Sequence, residues 1–130
     1  MREIKFRAWN NNKMWFVSSI RFDEGRIYLS ETEDLLPDTY VKINDEKLKL
    51  MQYTGFEDKN GKEIYESDIV KSTLEYNAYT GMKSEIYGGQ VYEVIWDNAK
   101  FKLSPFPIEN HFVSWNDLEV IGNIFENPEL

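Results

Sequence analysis

The stretch from Met51 to Val70, Met-Gln-Tyr-Thr-Gly-Phe-Glu-Asp-Lys-Asn-Gly-Lys-Glu-Ile-Tyr-Glu-Ser-Asp-Ile-Val, is dense in strand and turn signals that a helix cannot accommodate. Asn60-Gly61 stands inside the charged cluster Asp58 to Lys62. Glycine takes a positive φ there at little cost, and asparagine tolerates the left-handed region. The chain must therefore reverse, with Phe56 ahead of the turn and Ile64 and Tyr65 behind it. Asp68 then opens the apolar β-branched pair Ile69-Val70. These residues dictate architecture and carry no catalytic chemistry of their own.

Period-two alternation dominates elsewhere. In Glu3 to Trp9, Ile4, Phe6 and Ala8 share one face while Lys5 and Arg7 share the other, as a half-buried strand requires. Asn10 to Lys13 turns the chain into a returning strand, Met14 to Ile20. Asp23-Glu24-Gly25 reverses it again before Arg26 to Leu29, which gives a three-strand meander. Residues 30 to 47 are rich in acids and contain Pro37, so they read as an exposed connection with a short strand at Tyr40 to Ile43. Strands resume at Leu48 to Tyr53, Ile69 to Ser72, Gln90 to Trp96, Lys100 to Leu103 and Leu118 to Ile124. Within the last of these, Gly122 signals a bulge or a close backbone approach. Pro105-Phe106-Pro107 interrupts regular pairing, and Ser114 to Asp117 suits one short capped turn.

This order predicts an all-β fold: a small, strongly bent, SH3-like antiparallel barrel over residues 48–130 with an N-terminal β-meander extension over 1–47. A sandwich with the meander as second sheet is the competing architecture. Ile69, Phe101, Leu103, Val120 and Ile124, with one face of residues 90 to 96, form the expected core. At 130 residues the chain fits one domain, 1–130, within the usual range of roughly 100 to 200 residues. No apolar run approaches the roughly 20 residues needed to cross a bilayer, and the N-terminus lacks the apolar stretch of a signal peptide. A cytoplasmic location is the expectation, with no membrane partner. Zero cysteines exclude disulfides, thiolate zinc sites and cysteine nucleophiles, and one histidine, His111, leaves little for imidazole chemistry. No cofactor and no metal are expected.

The net charge of −8 is unevenly spread. Residues 1 to 22 hold five basic groups against Glu3, net +4; the remainder holds 10 basic and 22 acidic groups, net −12. An acidic body opposes sequence-independent binding to duplex DNA, which draws its free energy from phosphate neutralisation by Lys and Arg. Lys5 and Arg7 read most simply as guards of a solvent-facing strand against edge pairing, and secondarily as a local contact for phosphate.

Three segments together resemble a known family. They are Arg2 to Trp9, the central Met51 to Gly55 with Asp58 to Glu66, and the ending Leu118-Glu119-Val120-Ile121-Gly122-Asn123-Ile124-Phe125-Glu126-Asn127-Pro128-Glu129-Leu130. They are similar to the YopX-like family of bacteriophage and prophage proteins. The resemblance implies a mainly β protein of phage origin and carries over no activity. One departure stands out: the family pattern reads Tyr-Glu-Gly-Asp-Ile-Val, and this chain has Ser67 where that glycine stands. If the glycine serves a positive φ, Ser67 either carries strain or adopts another turn.

Candidate chemistry is thin. Asp58-x-Asn60-Gly61 matches only the first half of a calcium loop and lacks the bidentate glutamate, so a β-turn is the simpler reading. Glu109, His111 and Asp117 offer an acid-base group only if a pocket orients them. Glu66 and Asp68 share a face if the backbone is extended there, which would make a glycosidase-like carboxylate pair; turn capping explains them more simply. Aromatic residues, 15% of the chain, are the remaining signal of recognition. Tyr76, Tyr79 and Tyr87 gather in the polar segment 73–89, which should form a projecting hairpin or a mobile functional loop. Three functions follow: a non-enzymatic protein-binding adaptor using these tyrosines, a single-stranded nucleic-acid binder using Lys5, Arg7, Lys100 and Lys102, and a small carboxylate hydrolase. The adaptor is the leading reading. Its partner would be a phage or host protein, with self-association through edge strands as a further expectation.

Overall fold

The structure, a computed structural model, describes residues 3–33, 36–72, 75–77, 83–84, 90–105, 111–112 and 114–130. The chain divides into two compact units, Met1–Tyr53 and Thr54–Leu130. Its regular structure is almost entirely antiparallel strand, as the alternation requires. Among the described residues the one helical piece after the strands begin is a 3-10 turn, Trp115–Asp117. No helix among them is long and apolar enough to cross a membrane.

The first unit is the expected meander. Strands β1 (Phe6–Asn10), β2 (Lys13–Arg21), β3 (Arg26–Ser30) and β4 (Thr39–Lys42) lie in the order β4-β3-β2-β1, and β5 (Lys49–Glu57) follows β1. The β1–β2 hairpin closes through Asn11 and Asn12 at φ 53° and 58°, the two positive values that suit a tight turn with right-handed strand twist. Ala8, Ile27 and Leu29 form the buried cluster, with Trp15, Val17, Ile20, Val41, Ile43 and Leu48 packed against it. A bulge at Ser18 makes this possible. Val17 opposes Leu29 and Ile20 opposes Ile27, so two residues three apart in sequence face one core.

Two expectations need correction here. β1 pairs with β2 on one side and β5 on the other, so Lys5 and Arg7 do not guard an edge. Ile4 precedes the strand and is 70% exposed, while Ala8 alone of its face is fully buried. The physical reason is that Leu48 to Tyr53, assigned from sequence to the barrel, supplies the second neighbour: Met51 opposes Arg7 and Leu50 opposes Ala8.

The second unit receives the end of β5, which hydrogen-bonds to β6 (Glu63–Tyr65). Its main sheet has four strands: β7 (Asp68–Ser72), β10 (Val91–Asp97), β11 (Lys100–Ser104) and β13 (Leu118–Asn123), ordered β11-β10-β7-β13. Between them lie β8 (Glu75–Asn77), β9 (Lys83–Ser84) and β12 (His111–Phe112), which make a separate three-stranded sheet ordered β12-β8-β9. The segment after β7 is thus an antiparallel hairpin in its described part. Among the described residues the pairings give sheets with outer strands, and not one closed ring.

The core of this unit is Ile64, Val70, Tyr92, Val94, Leu103 and Leu118, with Trp115 and Val120 packed against it. Of the expected core, Ile69 and Leu103 are buried, whereas Phe101, Val120 and Ile124 are half-buried. The alternation in β10 holds for Tyr92 and Val94 and fails at Trp96, which is 51% exposed. β7 begins at Asp68, opposite the middle of β10, so Trp96 runs past its cover.

Two backbone positions explain the local path. Gly122 lies beyond a bulge, since Val120 opposes Val70 and Gly122 opposes Ile69. A Cβ there would stand 2.8 Å from Asn127 Cγ and 2.9 Å from Leu130 Cδ1, so bulge and close approach both occur. Ser67 has φ 70°. Its amide donates to Val94 O at 2.8 Å and its carbonyl accepts from Ile124 N at 3.0 Å, which holds it left-handed between two strands.

Left-handed backbone costs a non-glycine residue about 1–2 kcal/mol, against roughly 0.5–1 kcal/mol of extra chain entropy for glycine. Ser67→Gly should therefore stabilise the protein by about 0.5–1 kcal/mol, and Gly122→Ala should destabilise it by about 2 kcal/mol through overpacking. Denaturant unfolding of the two variants beside the parent checks both signs.

Candidate interaction surface

The Asp58 to Lys62 turn is built around one carboxylate. Asp58 is 6% exposed. Its Oδ1 accepts from Asn60 N at 2.8 Å and Lys62 N at 2.9 Å, and its Oδ2 accepts from Val120 N at 2.9 Å. The Asp58 amide donates to Lys62 O at 2.7 Å and Gly61 N to Asp58 O at 3.0 Å, with Gly61 at φ 81°. Lys59 N donates to Leu118 O at 2.9 Å, so the turn also covers the outer edge of β13. Burial alone would raise the Asp58 pKa; the amides of Val120, Lys62 and Asn60, with the nearby Lys62 charge, outweigh it and hold the carboxyl below its ordinary value. The turn expected from Asn60-Gly61 is present, and its carboxylate faces backbone donors.

Just before this turn, Thr54 Oγ1 donates to Ile64 O at 2.8 Å and accepts from Phe56 N at 3.1 Å, which fixes the end of β5. Phe56 lies flat on Trp115, with ring centroids 5.1 Å apart and planes 3° from parallel. Phe56 stays 43% exposed, a half-open aromatic platform. A second platform sits at the tip of the β10–β11 hairpin. Trp96 opposes Phe101 across the ladder, edge to face at 4.8 Å. The tip turns through Asn98 and Ala99 at φ 49° and 61°, and Lys102 Nζ bonds Asp97 Oδ2 at 3.2 Å. Trp115 lies next to the end of β7 near Ser72 and Trp96 beyond the end near Asp68, so the platforms stand at opposite ends of the four-stranded sheet.

The residues singled out from sequence are scattered. Tyr76 lies on β8, where its backbone opposes Phe112 and Lys83. Tyr79, Tyr87 and Glu109 lie outside the described residues. Lys5, in the first unit, pairs with Glu3 at 3.0 Å and stands over the Tyr53 ring at 5.1 Å. Arg7 lies mid-sheet opposite Phe16 and Met51. Lys5 and Lys102 are both engaged by acids, which does not favour them as phosphate contacts. Glu66 occupies the two-residue turn between β6 and β7, whereas Asp68 is buried and accepts from Tyr65 N at 2.8 Å. The extended backbone that a shared face requires is replaced by a turn. Trp96 and Phe101 were missed because regular alternation assigned both to the core; the missing signal was the length of β10 relative to β7.

Residues 5–130 match the family described as YopX protein. The fold is similar to that of protein EF1440 from Enterococcus faecalis, with TM-score 0.64 and 25% identity, covering 99% of this chain and 98% of that one. It is also similar to protein yopX from Bacillus subtilis, with TM-score 0.54 and 22% identity, covering 100% of this chain and 98% of that one. No curated protein matches the chain.

Because folding lowers the Asp58 pKa, its contribution is fully present above the unfolded value near ~3.9 and is lost as pH falls through the lower folded value. Asp58→Asn turns an amide NH2 or a single oxygen toward three backbone donors and should cost about 3 kcal/mol at neutral pH. Thermal melts should show the variant's deficit shrinking below about pH 4.

Proposed function

We infer that this chain, which belongs to the YopX family, is a non-enzymatic protein-binding adaptor of phage or prophage origin that works in the cytoplasm of a bacterial host. One observation carries the reading: Trp96, half-exposed and braced edge to face by Phe101 on β11, stands near the hairpin tip, past the end of β7 on its other side. Tryptophan anchors of this kind concentrate binding energy at protein interfaces, because they bury large area and lose few rotamers. The charge supports a protein partner over nucleic acid. Residues 54–130 hold six basic and fourteen acidic groups, net −8, a surface that repels phosphate.

A photoreactive group at position 96 should crosslink the full-length chain to one protein during expression in a phage-carrying host, identified by mass spectrometry. Trp96→Ala with Phe101→Ala should abolish that capture and lower thermal stability little, since both rings lie outside the buried cluster. Undiminished capture by the double variant rejects the assignment to the hairpin tip. Loss of capture on changing Tyr76 and Tyr79 instead moves the adaptor surface to the segment after β7.

A further inference from the structure

The turn that covers the edge of β13 also contains the one Asn-Gly pair of the chain, Asn60-Gly61. Asparagine is chemically labile, and most so ahead of glycine, which has no Cβ to shield its nitrogen from the asparagine Cγ. Both residues are exposed to water, and the position a Gly61 Cβ would take is open, with Glu57 Oε2 its nearest neighbour at 4.0 Å. Steric cover therefore does not protect the pair. Hydrogen bonds do: Gly61 N, the nitrogen that must attack, donates to Asp58 O at 3.0 Å, and Asn60 N donates to Asp58 Oδ1 at 2.8 Å. An amide proton held in this way is given up only when its bond opens, the restriction that governs hydrogen exchange. What keeps the turn shut is remote, because the other Asp58 oxygen is tied to Val120 N at 2.9 Å.

We propose that Asn60 is a deamidation site gated by Asp58, and that its conversion to isoaspartate uncovers the edge of β13. When the turn opens, Gly61 N loses its proton to hydroxide and bonds to Asn60 Cγ. The Cγ–Nδ2 bond breaks and ammonia leaves, taking a proton back from water, so a cyclic succinimide remains. Water then opens the ring at one carbonyl to give aspartate or at the other to give isoaspartate. In the isoaspartyl product the main chain runs through the former side chain, one methylene longer, and a new carboxylate stands beside Asp58. The bonds from Asp58 N to Lys62 O at 2.7 Å and from Lys62 N to Asp58 Oδ1 at 2.9 Å span this point. The extra backbone atom and the added like charge both oppose their return. With the turn go the Val120 bond and the bond from Lys59 N to Leu118 O, which leaves β13, an outer strand of its sheet, with open backbone groups.

Incubation of the full chain at mildly alkaline pH, followed by peptide mapping with mass spectrometry, tests this. Folded protein should convert Asn60 at least about tenfold more slowly than the same chain in guanidinium chloride, because the reaction follows the population of the open turn. Asp58→Asn should raise the folded rate by about tenfold or more. Val94→Ala, which truncates the core of the same unit and leaves the turn intact, should not raise it. Isoaspartyl chain separated by anion exchange should lose hydrogen-exchange protection at the Val120 amide, while the β7–β10 ladder keeps its own. Folded and unfolded chains that convert Asn60 at one rate overturn the proposal, as does Asp58→Asn that reacts no faster than the parent. Equal acceleration by Val94→Ala overturns the gate by placing the reaction in global unfolding. Val120 protection retained in the isoaspartyl chain overturns the uncovering of β13.

Discussion

The second unit depends on a carboxylate that is buried and still charged. Asp58 lies in a turn, yet one of its oxygens reaches Val120, sixty-two residues further along the chain. Without it, β13 would end the sheet with open backbone donors, the arrangement that invites strand addition. The turn fills that edge: the carboxylate takes the Val120 amide and the Lys59 amide takes the Leu118 carbonyl. Three amides converging on two oxygens cancel the desolvation of the charge, so the group stays ionised where a lone carboxylate would not. Phe56, two residues before the aspartate, is brought by the same turn onto Trp115.

Strands and turns were legible wherever side-chain chemistry is local. Asn60-Gly61, Asn11-Asn12 and Asp23 to Gly25 each mark a reversal that the backbone makes, and alternation places β1, β2 and β10. What stayed hidden was non-local. Nothing near Asp58 in sequence points to Val120. Nothing in Met14 to Ile20 announces that Ser18 bulges, although that bulge decides that Val17 and Ile20 face the same way. The neighbours of β1 could not be known without the pairing of β5, so Arg7 on an interior strand and Lys5 just before it read as edge guards. Ser67 was legible in the other direction: the departure from the family glycine raised the question of a positive φ, and φ 70° answers it.

The two connections that interrupt the four-stranded sheet share a cause. One follows β7 and the other follows β11, and in sequence they look unrelated, the first polar and tyrosine-bearing, the second broken by prolines. In the fold, His111 and Phe112 from the second pair with Asn77 and Tyr76 from the first, and Tyr76 pairs also with Lys83. The second excursion thus adds a third strand, β12, to the β8–β9 pair of the first. Three strands hold together better than the two-stranded pair alone would.

Charge is partitioned along the same division. Residues 1–53 hold nine basic and nine acidic groups and are neutral, so the whole net charge of −8 falls on residues 54–130. That half also carries both half-open aromatic platforms, Phe56 on Trp115 and Trp96 on Phe101. In the proposed adaptor, apolar anchors set in a field of one sign would divide the labour of recognition: the field would favour a partner of opposite charge and speed its approach, and the rings would hold it once docked.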